Sequence, residues 1–188
     1  MKLRRGFKTE ATQIAREARV ELGIHKAAPL GIRQLAEHLD IPILPMTRLS
    51  NAASPAVEYF SREGRASFSG VTVFDGSRRL IVYNDIHHPG RQASDLSHEI
   101  AHALLLHPPT PAIDDKGCRF WDAEIEDEAE WLSGTLLVPE EATLTIVRRG
   151  LTIREAALEY GVTEKMMGYR IDVTAARKRV ARADAVRN

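Results

Sequence analysis

The sequence predicts an α+β fold, in which helices precede and follow a small antiparallel sheet. Apolar residues recur every three or four positions over 9–22 and in several segments after residue 92, which is typical of amphipathic helices. Between residues 51 and 85 the period changes to that of strands. A chain of 188 residues can bury a core of its own. We therefore expect one domain over 1–188, with its core at about 9–140 and a helical carboxy-terminal region at about 141–188.

The amino-terminal part is predicted to contain two helices and an edge strand. The first helix covers residues 9–22 and stops at Gly23. The second covers residues 32–39 and is closed by Asp40. Residues 41–46 are apolar and contain two prolines, which cannot donate to a neighbouring strand. This segment therefore fits the edge of a sheet.

The middle of the chain is predicted to form the sheet. Strands are expected at 56–60, 67–74 and 79–84, where β-branched and aromatic residues concentrate. The intervening Asp75-Gly76-Ser77 is typical of a hairpin turn. These strands predict an antiparallel arrangement.

Helices are predicted for most of the remaining chain. A loop at 84–90 precedes a helix of about 92–107, which Pro108 and Pro109 end. Further helices are predicted at 122–137, 140–149, 152–160 and 163–182.

Composition narrows the function classes. Lys and Arg together number 26, as do Asp and Glu, so no net charge favours a nucleic-acid partner, although residues 170–187 are locally basic. The single cysteine, Cys118, cannot form an internal disulfide. No segment approaches the roughly 20 apolar residues that span a bilayer, and the amino end has no apolar run after its charges. We expect a cytoplasmic protein without a membrane partner.

The most informative motif is His98-Glu99-Ile100-Ala101-His102. On a helix, His98 and His102 project from one face and can bind a single metal ion. Glu99 is then placed to accept a proton from an attacking water molecule. Two imidazoles and this carboxylate are typical of a zinc hydrolase.

A catalytic zinc site needs a third protein ligand. The residues alone leave many candidates for it, most of them in an acidic run that would equally suit a solvated helix face. The candidates are His107, Asp114, Asp115, Asp122, Glu124, Glu126, Asp127, Glu128 and Glu130.

Two longer segments resemble the ImmA/IrrE family of metallo-endopeptidases. The first is 96–107, which contains the histidine motif, preceded by Arg91-Gln92. The second is 126–139, Glu-Asp-Glu-Ala-Glu-Trp-Leu-Ser-Gly-Thr-Leu-Leu-Val-Pro. It is similar to the family segment Glu-x-x-Ala-Asn/Asp-x-Phe-Ala-x-x-Leu-Leu-Met-Pro. The chain departs from that pattern at Glu130, where the family has Asn or Asp, and at Leu132, where it has Phe.

The resemblance implies a zincin-like metalloprotease domain with a helix-turn-helix-like carboxy-terminal region. It implies that the third ligand is Glu126, with Glu128 and Glu130 as alternatives. Glu130 could instead orient a ligating histidine. The implied metal is zinc, with manganese as the alternative in the cell.

The same resemblance implies a function. The chain is expected to hydrolyse a peptide bond in a partner protein, a helix-turn-helix transcriptional repressor, during mobile-element or stress-response regulation. The alternatives are a non-catalytic module that binds DNA or a repressor, and the toxin of a toxin-antitoxin pair.

An oxyanion stabiliser is needed, and its candidates are Tyr83, His107, Tyr169 and Arg170. His107, at the predicted end of the motif helix, is more typical of a helix cap.

Residues 151–170 have the arrangement of a helix-turn-helix, but Met166 and Met167 suit packing rather than base contacts, so we expect no DNA binding there.

Overall fold

The fold is α+β, as the sequence predicts. The computed structural model describes residues 2–76, 78–108 and 122–187. These described residues form three strands, nine α-helices and a 3₁₀ turn at Met46–Leu49. The strands are β1 (Ile43–Pro45), β2 (Gly70–Asp75) and β3 (Arg78–Tyr83). The helices are α1 (Phe7–Glu21), α2 (Ile32–His38), α3 (Ser54–Ser61), α4 (Pro89–Leu104), α5 (Ala123–Leu137), α6 (Glu140–Arg148), α7 (Ile153–Tyr160), α8 (Glu164–Val173) and α9 (Ala176–Arg187).

The sheet has the strand order β1-β3-β2. β2 and β3 form the predicted antiparallel hairpin, in which Asp75 pairs with Arg78 and Gly76 takes a left-handed φ of 60°. β1 lies at an edge, as the two prolines of segment 41–46 predict, but it runs parallel to β3. The sheet is therefore mixed rather than antiparallel, because α3 and β2 return the chain to the same end before β3 begins.

The predicted strand at 56–60 is wrong, since these residues belong to α3. Pro55 lies in the first turn of that helix, where a missing N–H costs nothing. Val57 and Phe60, three residues apart, face the same apolar cluster as Met46 and Val82. A run this short fits a helix face as well as a strand.

The single helix predicted at 163–182 is two helices, α8 and α9. Thr174 ends α8, and its hydroxyl donates to the carbonyl oxygen of Arg170 over 2.8 Å. Ala175 then adopts a left-handed φ of 51°. No glycine or proline marks this break, so periodicity alone could not predict it.

The motif helix α4 begins three residues earlier than predicted. Pro89 occupies its first turn, and the ring Nδ1 of His88 accepts a hydrogen bond from the N–H of Gly90 over 3.2 Å. α4 packs against α5 in the main core, to which α1 also contributes. Within the described residues, no helix is both long and apolar enough to cross a membrane.

Two buried arginines fix the carboxyl end of α5. Arg19 of α1 donates to the carbonyl oxygen of Leu136 over 2.8 Å, and Arg170 of α8 donates to that of Val138 over 2.9 Å. The carbonyls at a helix end lack partners within the helix, so these guanidinium groups satisfy them. The helix that carries the acidic candidates is thus held at its far end.

Candidate metal centre

Two imidazole rings stand one turn apart on α4. The Nε2 atoms of His98 and His102 lie 3.1 Å apart, and the ring planes cross at 80°. Their side chains are 30% and 19% exposed. Two ring nitrogens this close together can both bind one metal ion.

Glu126 of α5 supplies the third donor at this position. Its Oε2 lies 3.2 Å from Nε2 of His98, and its Oε1 lies 3.8 Å from Nε2 of His102. One donor atom from each of the three residues falls within 4.8 Å of the others. In the described part of the chain this is the only such group of His, Cys, Asp and Glu. The structure therefore brings together the three residues that the sequence analysis selected.

The nearest alternatives to Glu126 have other roles. Glu128 forms an ion pair with Arg4, with Oε1 2.9 Å from Nε. Asp122 caps α5, because its Oδ1 accepts from two backbone N–H groups of the first turn. Glu130 is exposed and lies outside the three-residue group.

The remaining acidic candidates fall into two sets. Glu124 and Asp127 lie beside Lys2, near the amino end of the chain. Asp114 and Asp115 lie outside the described residues, as does Cys118.

The packing of α4 on α5 sets the distance between the histidines and the carboxylate. The buried hydroxyl of Ser97 donates to the carbonyl oxygen of Ser133 over 3.1 Å. Since Ser97 contacts Ser133 while His102 lies by Glu126, the two helices run in opposite directions. The Ser97 hydrogen bond thus fixes their register next to the candidate site.

The donor set fits a divalent transition metal. Imidazole nitrogen and carboxylate oxygen are ordinary zinc ligands at about 2.0–2.2 Å, and two ligands on a tetrahedral ion then lie roughly 3.3 Å apart. The separations of 3.1 Å between the histidines and 3.2 Å from His98 to Glu126 match that spacing. No large rearrangement is needed for these three atoms to bind one ion.

The electrostatics of the two histidines differ. Burial lowers the pKa of His98, but its hydrogen bond to Glu126 and the nearby charges of Glu99, Glu126 and Glu130 raise that pKa above its ordinary value. Burial and the neighbouring charge of His98 lower the pKa of His102 to about 4. His102 is therefore neutral at physiological pH, the state in which an imidazole binds metal.

Glu99 is held against the sheet. The hydroxyl of Thr72, on β2, donates to Oε2 of Glu99 over 2.5 Å. The neighbouring Gly70 is so close that a Cβ there would lie 3.5 Å from Cγ of Glu99. β2 therefore borders the carboxylate that follows the first histidine, a contact that the sequence analysis did not anticipate.

His107 lies against the second histidine rather than simply at the end of the helix. Its Nδ1 is 2.9 Å from Nδ1 of His102. Sequence reasoning considered it as a ligand, an oxyanion stabiliser or a cap. Its spacing of five residues from His102 lies off the helical i, i+4 pattern, so only the path of the backbone after α4 could place it.

The other oxyanion candidates have varied surroundings. The hydroxyl of Tyr83 accepts a hydrogen bond from Arg33 over 3.0 Å. Arg170 is buried and directed at the end of α5. Tyr169 is half-buried, and burial is the main cause that raises its pKa. The choice of stabiliser stays a prediction.

The helices α7 and α8 are joined by a turn, as in a helix-turn-helix, but α8 packs against the core. Gly161 takes a left-handed φ of 63° between α7 and α8. α8 buries Met167, Arg170 and Ile171. The side chains on this face of α8 are therefore part of the core rather than a surface that faces a partner.

Residues 47–172, more than half of the chain, match the family model Peptidase_M78, described as an IrrE N-terminal-like domain. No curated protein and no solved structure matched. The matched segment contains the sheet hairpin, α4 and α5, and thus every residue of the candidate centre.

Proposed function

We propose that this chain, which belongs to the Peptidase_M78 (IrrE N-terminal-like) family, is a metal-dependent endopeptidase. The observation that carries the proposal is the group of His98, His102 and Glu126 within 4.8 Å, with Glu99 one residue after the first ligand. Two imidazoles and one carboxylate are the protein ligands of a well-known class of catalytic zinc site. Zinc is the metal we propose, with manganese as the alternative.

A metal ion at this site would polarise the scissile carbonyl and acidify the attacking water. The protein's own part in the reaction is proton transfer. Glu99 accepts a proton from water while the water oxygen bonds to the carbonyl carbon. Glu99 later gives that proton to the amine nitrogen as the C–N bond breaks. The products are a carboxylic acid and an amine, and Glu99 returns to its starting state.

The position of β2 favours an extended peptide as substrate. β2 pairs with β3 along one edge, and within the described residues no strand pairs with its other edge. An extended segment can add to such an edge through main-chain hydrogen bonds. Since Thr72 of β2 contacts Glu99, a peptide bound along β2 would pass close to the carboxylate.

We propose that the substrate is a regulatory protein. The resemblance to ImmA/IrrE peptidases supports a helix-turn-helix repressor as the partner, cleaved during mobile-element or stress-response regulation. The main alternative is a module that binds the repressor without cutting it.

The test is Glu99→Gln, which removes the base and keeps the shape. We expect this variant to bind one equivalent of zinc, as the wild type does, and to cleave neither a peptide library nor a helix-turn-helix repressor. The matched control is Glu128→Gln on the neighbouring helix, which should keep activity. If Glu99→Gln cleaves as well as the wild type, the peptidase proposal is overturned. If Glu99→Gln does not cleave but keeps the full effect of the protein in cells, the binding module is favoured.

A further inference from the structure

We propose that His107 is a positioning residue that holds the imidazole of His102 in place from the side opposite the metal. The inference rests on the metal site proposed above. It depends on two separate observations, the contact between the two rings and the backbone conformation that creates it.

The ring contact assigns a role to each nitrogen of His102. Its Nε2 faces His98 and Glu126, so this is the atom available to a metal. Its Nδ1 lies 2.9 Å from Nδ1 of His107, with the ring centroids 5.0 Å apart. When Nε2 binds a metal, Nδ1 carries the proton and donates it, and Nδ1 of His107 accepts.

A partner of this kind is what a metal-binding histidine requires. The second ring nitrogen of such a histidine donates to a carboxylate, a carbonyl or water, which fixes the tautomer and the ring orientation. For His102, the group found at that nitrogen is the imidazole of His107. His107 therefore takes the place of the usual oxygen acceptor.

The backbone after α4 is folded so that residue 107 returns to residue 102. The N–H of His107 donates to the carbonyl oxygen of His102 over 3.0 Å, and the N–H of Leu106 donates to that of Ala103 over 3.1 Å. These two bonds form a Schellman motif, in which the residue after the helix cap is left-handed. Both the main chain and the ring of His107 thus contact His102.

The residue that makes this turn is Leu106, with a φ of 53°. Glycine is the usual residue at this position, because a Cβ disfavours the left-handed conformation. The Leu106 side chain is 79% exposed, so its packing does little to offset that strain. Strained residues of this type cluster at functional sites. Here the strained turn is what brings His107 to His102.

The test measures zinc affinity by competition with a chromophoric chelator. His107→Phe keeps a planar ring and removes the acceptor, and we expect zinc affinity to fall about 10- to 100-fold. His107→Asn places an amide oxygen where Nδ1 was and should recover most of that loss. His38→Phe replaces an exposed histidine of α2 whose Nε2 contacts Glu21 rather than His102; it is the matched control and should stay within about twofold of wild type.

A second measurement uses the unaltered protein, so it does not depend on how the variants fold. Long-range proton–nitrogen NMR correlations of the zinc-loaded chain should find His102 protonated at Nδ1 and His107 protonated at Nε2. A proton on Nδ1 of His107, or a His107→Phe affinity within twofold of wild type, would overturn the inference.

His98→Ala separates this inference from the proposed function. If His98→Ala abolishes zinc binding while His107→Phe leaves it unchanged, the metal site stands and the role of His107 is wrong. If wild type and His98→Ala bind zinc equally, the metal site itself is wrong, and the inference is overturned with it.

Discussion

Thr72 of β2 donates a hydrogen bond to Glu99 of α4 over 2.5 Å, which joins the sheet to the carboxylate beside the two histidines. The contact spans 27 residues of sequence. A hydrogen bond to a charged group stabilises the charged form and restricts its rotamer. Thr72 is thus the residue on the sheet that orients the proposed base.

Thr72→Val keeps the branched shape and removes the hydroxyl. We expect kcat/KM for peptide cleavage to fall about tenfold, which corresponds to roughly 1.4 kcal/mol for one hydrogen bond to a charged group. Zinc content should stay unchanged, and Thr72→Ser should keep nearly full activity. Steady-state kinetics with parallel metal analysis checks this. Equal activity of Thr72→Val and wild type would contradict the role of Thr72.

Of the four glutamates of α5, Glu126 should matter far more for metal binding than Glu128 and Glu130. Glu126→Gln removes a charged donor from the three-residue group, so we expect zinc affinity to fall at least about 100-fold. Glu128→Gln breaks the ion pair with Arg4, and Glu130→Gln changes an exposed side chain; both should stay within about threefold. Chelator competition at fixed pH measures all three. A larger loss for Glu130→Gln than for Glu126→Gln would move the third ligand to Glu130.

The parts of the fold that sequence could predict have strong local signals. α5 begins at the Asp122 cap and ends before Pro139, and the β2–β3 hairpin turns at Gly76. The sequence predicts a strand where α3 lies, because a five-residue segment with one charged position has no distinctive period. The break after α8 depends on a hydrogen bond from Thr174, which composition does not announce.

Some residues of the candidate site could likewise be predicted from sequence, and others could not. His98 and His102 could be paired from sequence because a helix brings i and i+4 together. The acidic residues alone could not single out Glu126, which came from the family resemblance. The contacts of Thr72 with Glu99 and of His107 with His102 could not be predicted from sequence. The first depends on how β2 packs on α4, and the second depends on the left-handed Leu106 after the helix.

Gly90 is required where α4 meets the α7–α8 turn. A Cβ at Gly90 would lie 2.8 Å from the backbone carbon of Val162 and 2.9 Å from the backbone nitrogen of Thr163, so the main chain would have to move. We expect Gly90→Ala to lower the free energy of unfolding by about 1–3 kcal/mol. The matched control is Gly168→Ala in α8, where a Cβ meets no atom of the described residues within 4 Å. It should raise stability by about 0.5–1 kcal/mol. Urea unfolding measures both, and destabilisation by both alike would show that space at Gly90 is not the cause.

The attachment of α9 should depend on pH through Glu140. Arg179 of α9 forms an ion pair with Glu140 of α6 at 2.7 Å, and that hydrogen bond is the main cause that lowers the pKa of Glu140. A carboxyl group whose pKa is lower in the folded state contributes stability above its unfolded pKa of about 4.3 and loses it as the pH falls through the folded value. The pair is partly exposed, so we expect Glu140→Gln to cost less than about 1 kcal/mol at pH 7. The difference from wild type should therefore shrink as the pH falls below about 4.3, and it should vanish once the carboxyl of the folded protein is protonated.

Thermal unfolding of both proteins across this pH range is the measurement. In an Arg179→Met background, Glu140→Gln should lose most of its effect at pH 7, because the partner that lowers the carboxyl pKa is gone. A difference between Glu140→Gln and wild type that is as large at pH 3 as at pH 7 would contradict the ion pair as its source. It would instead point to lost packing between α6 and α9, since packing does not depend on the charge of the carboxylate.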